Sequence, residues 1–63
     1  MKIGILGTGK FALSIAYLLE KNNINLTFIG RDINQLEDLK INKKNSKYSN
    51  HYFSLNLSTL LLN

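Results

Sequence analysis

A chain of 63 residues with eight basic and four acidic side chains, net charge +4, has room for one small core. A domain of this size buries only about 60% of the surface its unfolded chain exposes. The absence of cysteine excludes a disulfide framework and a thiolate metal cluster, and a lone His51 cannot assemble a metal site. The hydrophobic share of 44% and charged share of 19% suit a globular protein, not a disordered one. No apolar run is long enough to span a membrane and the N-terminus lacks a secretory pattern, so the cytoplasm is the expected compartment.

Residues 2–6 form a short aliphatic run closed by Gly7, which predicts a buried strand. From Lys10 onward Ala12, Ile15, Ala16 and Leu19 fall at the spacing of one helical face, predicting a helix that ends near Asn22 and Asn23. Residues 26–29 are again β-prone, and Gly30, Arg31 and Asp32 end them with turn formers. Asp32 then caps a second helix whose apolar positions Ile33, Leu36 and Leu39 repeat every third residue, fading near Ile41. Residues 42–50 are polar except for Tyr48 and read as a loop over the surface. Tyr52, Phe53, Leu55 and Leu57 resume an extended pattern that runs into Leu60, Leu61 and Leu62, a third strand with an open edge.

Strand, helix, strand, helix, strand is the opening of an α/β fold, the N-terminal part of a doubly wound parallel sheet. Parallel sheets are normally covered on both faces. Residues 1–63 are therefore expected to be a partial domain that needs a missing C-terminal part or a partner to fold fully.

Gly7, Thr8, Gly9, Lys10, Phe11 and Ala12 have the form G-x-G-x-x-A between the first strand and the first helix. Gly7 permits the tight turn, Gly9 lets backbone approach a pyrophosphate with no Cβ in the way, and Ala12 keeps the helix close to the strand. Phosphates would then rest on the helix N-terminus, where free N–H groups and the positive dipole end favour an anion. A second strand ending about 20 residues later is the confirming context for dinucleotide binding.

The end of that strand selects the adenosine partner. An acidic residue there would bond the ribose 2′-hydroxyl of NAD, whereas an arginine pairs with the 2′-phosphate of NADP. Gly30 stands where the acid would be and Arg31 follows, so NADP is favoured. Asp32 keeps NAD in play if it reaches the ribose, although an N-cap is its simpler role.

Phe11 and Tyr17 are read as core or cofactor-covering, His51 as a surface loop residue, and Glu20, Glu37 and Asp38 as exposed helix charges. No arrangement of serine, histidine and acid suggests nucleophilic catalysis, and no catalytic residue is expected. Lys40, Lys43, Lys44 and Lys47 crowd one region, but without a recognition motif they read as a solvated surface and not as a nucleic-acid site.

Residues 1–32, "MKIGILGTGKFALSIAYLLEKNNINLTFIGRD", resemble the N-terminus of NAD(P)-dependent glycerol-3-phosphate dehydrogenases, Rossmann-type enzymes. The stretch "LTFIGR" is also similar to ketopantoate reductases. The second half discriminates: "INKKNSKYSN", with Asn45 and Tyr48 in an Asn-x-x-Tyr spacing, and "FSLNLS" both resemble the glycerol-3-phosphate dehydrogenase pattern. Departures are Lys10 where the family usually has serine, Ala12 where it usually has glycine, and Ser54 where it has proline. The resemblance implies cofactor contacts at Gly7, Gly9, Lys10, Phe11 and Arg31, with Tyr48 a weaker candidate.

It further implies hydride transfer between NAD(P)H and dihydroxyacetone phosphate, giving sn-glycerol 3-phosphate, a phospholipid precursor. The family's catalytic lysines and substrate domain lie beyond the stretch matched, so this chain is expected to be inactive alone. A free-standing, non-catalytic nucleotide-binding module is the alternative of a different class.

Overall fold

Period-two alternation along the three strands divides the sheet into one face that is buried and one that is not. The computed structural model describes all residues, Met1–Asn63. Its elements are β1 (Lys2–Leu6), α1 (Lys10–Leu19) continued by a 3₁₀ turn (Glu20–Asn22), β2 (Asn25–Gly30), α2 (Ile33–Asn42) and β3 (Asn56–Leu61). The strands lie in the order β1-β2-β3, all parallel. This is the start of a Rossmann-like sheet.

Ile5 of β1 and Leu26 and Phe28 of β2 share one buried cluster with Ala12, Leu13 and Ala16 of α1 and Leu36 and Leu39 of α2. Both helices therefore cover the same face of the sheet. Leu26, Phe28 and Leu39 are fully buried, each contributing about 1.5–3 kcal/mol relative to exposure. On the other face the register aligns Leu6, Ile29 and Leu60 in one row, with Leu6 and Leu60 exposed. The rows toward the strand N-termini are polar: Thr27 and Ser58 hydroxyls bond across strands at 2.7 Å, and Asn56 Nδ2 donates to Asn25 Oδ1 at 3.0 Å.

Residues 43–50 form an irregular and mostly exposed segment, as expected, but Asn45 within it is buried and the irregular stretch runs on to Leu55, where the sequence predicts an extended pattern from Tyr52. Lys43 adopts the left-handed conformation (φ 59°) and turns the chain back along α2, where Asp38 Oδ2 accepts the Ser46 amide at 2.8 Å. The chain then returns to Phe53, whose amide donates to the Lys43 carbonyl at 2.7 Å. Phe53 and Leu55 are buried in the core and Asn45 is 1% exposed. The segment is a strap over both helices.

At the far end of α1, Glu20 ties the strap down. Its carboxylate accepts the Ser54 amide at 2.7 Å and meets His51 Nε2 at 2.9 Å. The His51 ring stands edge-on to Tyr17 and Phe53, centroids 5.0 Å away in both cases. Glu20 and His51 are thus a partly buried pair, not the free surface residues their types suggest. Because Phe53 and Leu55 point into this packing, the third strand begins at Asn56 and not at Tyr52.

Candidate functional site

β1 runs straight into the glycine loop. The Gly7 amide extends the β1–β2 ladder by donating to the Ile29 carbonyl at 2.7 Å, and Gly7 then takes φ +111°, open to glycine and strained for other residues. A Cβ on Gly7 would lie 3.9 Å from the Ala12 Cβ, ordinary contact, so the strain there is conformational. Ala12 itself is buried at 3% exposure and brings α1 against the loop.

Gly9 is the N-cap of α1, with extended backbone (φ −81°, ψ −167°) and no side chain to satisfy the first turn. The Leu13 amide bonds the Gly9 carbonyl at 3.0 Å, so the helical ladder starts there. The amides of Lys10, Phe11 and Ala12 precede it, at the positive end of the helix dipole. A Cβ placed on Gly9 meets nothing within 4 Å. No packing inside this chain requires glycine at position 9, while backbone approach by an outside phosphate does. The residues fit a dinucleotide pyrophosphate.

The end of β2 meets the same loop. A Cβ on Gly30 would lie 3.1 Å from Thr8 Cγ2 and 3.7 Å from Leu36 Cδ2. Arg31 follows it, exposed. Asp32 is committed to α2: Oδ1 accepts the Asn34 and Gln35 amides at 3.0 and 3.2 Å, and Oδ2 accepts Gln35 Nε2 at 3.0 Å.

Thr8 is held from three sides. Its hydroxyl donates to Gln35 Oε1 at 2.7 Å, its methyl faces Gly30, and its carbonyl accepts Asn45 Nδ2 at 2.7 Å. Asn45 donates to Gln35 Oε1 as well, at 2.9 Å. In the sequence Asn45 reads as part of a surface loop; its only signal is the Asn-x-x-Tyr spacing, which carries no hint of burial.

Lys10 and Phe11 open α1 and are both exposed, Phe11 at 80%. Tyr48 is 38% exposed and shares with Lys10, Leu13, Tyr17 and His51 a groove of about 540 Å³ between α1 and the strap. The structure thus brings Gly7, Thr8 and Gly9 into one loop packed on the end of β2, with Ala12 behind it in the first turn of α1 and Lys10 and Tyr48 across a groove. Phe11 packs into no core.

The lysine cluster is partly used within the fold. Lys43 Nζ donates to the Leu55 carbonyl at 3.2 Å, and the Lys44 and Lys47 ammonium groups lie 4.7 and 5.5 Å from the ring centroids of Tyr52 and Tyr48. The Ser54 amide, with His51, holds the Glu20 carboxyl below its ordinary range against the opposing effect of burial. The Ser46 amide and Asn42 do the same for Asp38. No helix is long and apolar enough to cross a membrane.

The family described as NAD-dependent glycerol-3-phosphate dehydrogenase N-terminus matches residues 2–60. Among curated proteins the chain is similar to glycerol-3-phosphate dehydrogenase (NAD(P)+) of Ehrlichia chaffeensis, 40% identical over 48 residues, 76% of this chain and 15% of that protein. The Fusobacterium nucleatum protein of the same name is 42% identical over 45 residues, 71% of this chain and 13% of the relative. That of Clostridium perfringens is 36% identical over 47 residues, 75% and 14% respectively. The matched part thus spans about one seventh of these relatives. No solved structure matches the chain.

Proposed function

Because the chain belongs to the NAD-dependent glycerol-3-phosphate dehydrogenase N-terminal family, we propose that residues 1–63 form the opening part of its dinucleotide-binding domain. Gly7, Thr8 and Gly9 build the loop that receives the pyrophosphate, Ala12 keeps α1 close behind it, and the α1 amides with Lys10 face its charge. Phe11 and Tyr48 flank it. The bound nicotinamide supplies the hydride chemistry, and the matching reaction is exchange between NAD(P)H and dihydroxyacetone phosphate, yielding sn-glycerol 3-phosphate for phospholipid synthesis in the cytoplasm. In this reading the substrate-binding and catalytic residues belong to a part of the enzyme outside residues 1–63, which supply cofactor binding alone. The observation that carries this reading is Gly9, a glycine with open space at its Cβ, set before an uncapped helix.

NADP is the preferred cofactor in this reading. Gly30 puts no carboxylate at the end of β2, and the Asp32 carboxylate is occupied by its own helix, which leaves Arg31 to meet the 2′-phosphate with paired hydrogen bonds. A charge-assisted bond contributes roughly 1.5–3 kcal/mol, so Arg31→Ala should weaken NADPH about ten- to a hundredfold. NADH, which lacks that phosphate, should lose much less. Titration of both cofactors against wild type and variant decides: equal losses would make Arg31 a surface residue and remove the NADP preference.

A further inference from the structure

Asn45 is the one polar residue counted as buried in this chain. Its Nδ2 reaches the Thr8 carbonyl, 37 positions away in sequence, at 2.7 Å, and its Oδ1 accepts the Lys47 amide at 3.3 Å. Its own carbonyl accepts the Tyr48 and Ser49 amides. The strap does not need this bond to stay in place, since Phe53 and Leu55 are buried and Ser46 and Ser54 are bonded to Asp38 and Glu20.

The bond's destination carries the argument. The Thr8 carbonyl and the Gly9 N–H belong to one planar peptide unit, and in a trans peptide they point in opposite directions. No peptide in this chain is cis. The loop is flanked by two glycines, whose backbone has little intrinsic preference. A donor that holds the Thr8 carbonyl toward the strap therefore turns the Gly9 N–H the other way, away from the protein interior. That N–H has no acceptor within the chain. We infer that Asn45 is a positioning residue that aims the Gly9 N–H at the phosphates of the cofactor, acting through the Thr8 carbonyl, an inference that rests on the cofactor reading above.

Gln35 supports the aim from the side. Its Oε1 accepts both Asn45 Nδ2 and the Thr8 hydroxyl, and its Nε2 is fixed by Asp32. Asn45 thus faces two oxygens, and only a donor fits there.

Asn45→Asp is the test, because it keeps the shape and exchanges the donor for an acceptor. Ionised, the new carboxylate opposes Thr8 O and Gln35 Oε1; protonated, it regains one O–H donor. Burial raises a carboxyl's pKa, so both forms are accessible between about pH 4.5 and pH 7. The titratable neighbours are Asp32 through Gln35, Asp38 through Ser46, and Lys44 and Lys47 in the strap. All are present in wild type, so the variant-to-wild-type ratio isolates the new group.

Using the 63-residue chain, amide chemical shifts are recorded without ligand, and NADP+ and inorganic pyrophosphate are titrated by the same shifts at both pH values. At pH 7 the variant should bind both probes about tenfold or more weakly, as expected for a lost bond to a charged group. Its Gly9 amide, released from the anchor on the Thr8 carbonyl, should shift and broaden while β2 amides keep wild-type shifts, and the affinity ratio should recover at pH 4.5. A wild-type Gly9 amide and affinity at pH 7, or displaced shifts throughout the fold at both pH values, would overturn the inference. If neither probe binds wild type while Gly9 alone responds, the cofactor reading falls and the aiming of Gly9 by Asn45 stands. Should Asn45→Asp unfold at pH 7, Asn45→Ser, whose donor is too short to reach Thr8, must show the same Gly9-specific shift.

Discussion

Exchanging each of two glycines for alanine separates the residue the fold requires from the one the ligand requires. At Gly7 the backbone sits at φ +111°, and forcing an L-side chain into a left-handed conformation costs roughly 1–2 kcal/mol. At Gly9 the backbone is extended and a Cβ meets no atom within 4 Å. Alanine is a poorer N-cap than glycine, but it also restricts the unfolded chain, which offsets about 0.4–1 kcal/mol. The two effects nearly cancel, so Gly9→Ala should leave the melting temperature close to wild type while Gly7→Ala lowers it. Binding should behave in the opposite sense. In the proposed complex a methyl at position 9 stands where a phosphate comes close, and loss of one charge-assisted bond, roughly 1.5–3 kcal/mol, should weaken NADPH by about ten- to a hundredfold. Circular-dichroism melts and NADPH titrations on the same three samples provide both numbers. Gly9→Ala with unchanged affinity, or with a larger stability loss than Gly7→Ala, would refute the assignment of this loop to a phosphate.

Stability should fall in acid. The Glu20 and Asp38 carboxyls sit below their ordinary values of 4.5 and 3.8; depressed folded values contribute stability that is full above the unfolded pKa and lost as pH falls through the folded one. Melting temperatures should therefore decline from about pH 4.5 downward, and a Glu20→Gln variant that declines as steeply as wild type would remove Glu20 as the source. The uncovered row of Leu6, Ile29 and Leu60, beside free edges on β1 and β3, should make the isolated chain self-associate. Sedimentation velocity should show concentration-dependent association that Leu60→Lys suppresses; a wild-type chain that stays monomeric at every concentration would contradict this.

Local patterns carried most of the fold because each sheet element is short, apolar and closed by a turn former. β1 is readable to its last residue, since Gly7 closes a short run in which Ile3, Ile5 and Leu6 are aliphatic. The 3₁₀ turn after α1 falls where Asn22 and Asn23 signal an end, Asn23 taking φ 53°. The strap was opaque for an equally physical reason. Phe53 and Leu55 alternate as strand residues do, yet they join no ladder and pack into the cluster shared by the sheet and both helices, Phe53 against Phe28. The contacts that hold the segment, Glu20 with His51 and Ser54, span 31 and 34 positions. Composition made residues 42–50 look solvated; a single buried amide among lysines and serines leaves no periodic trace.

The glycine loop is legible in the sequence as a G-x-G-x-x-A turn between strand and helix, but what holds its shape is not. Gly30 reads in sequence as a missing carboxylate, an electrostatic choice about the cofactor. In the fold it is also a steric one, because Thr8 Cγ2 lies 3.1 Å from where its Cβ would be. The same Thr8 gives its hydroxyl to Gln35 and its carbonyl to Asn45. A side chain at position 30 would have to displace Thr8, and with it the peptide that carries the Gly9 N–H. Packing at the end of β2 and the geometry of the glycine loop are therefore one constraint: the gap that admits Thr8 is also the position that carries no carboxylate at the end of β2.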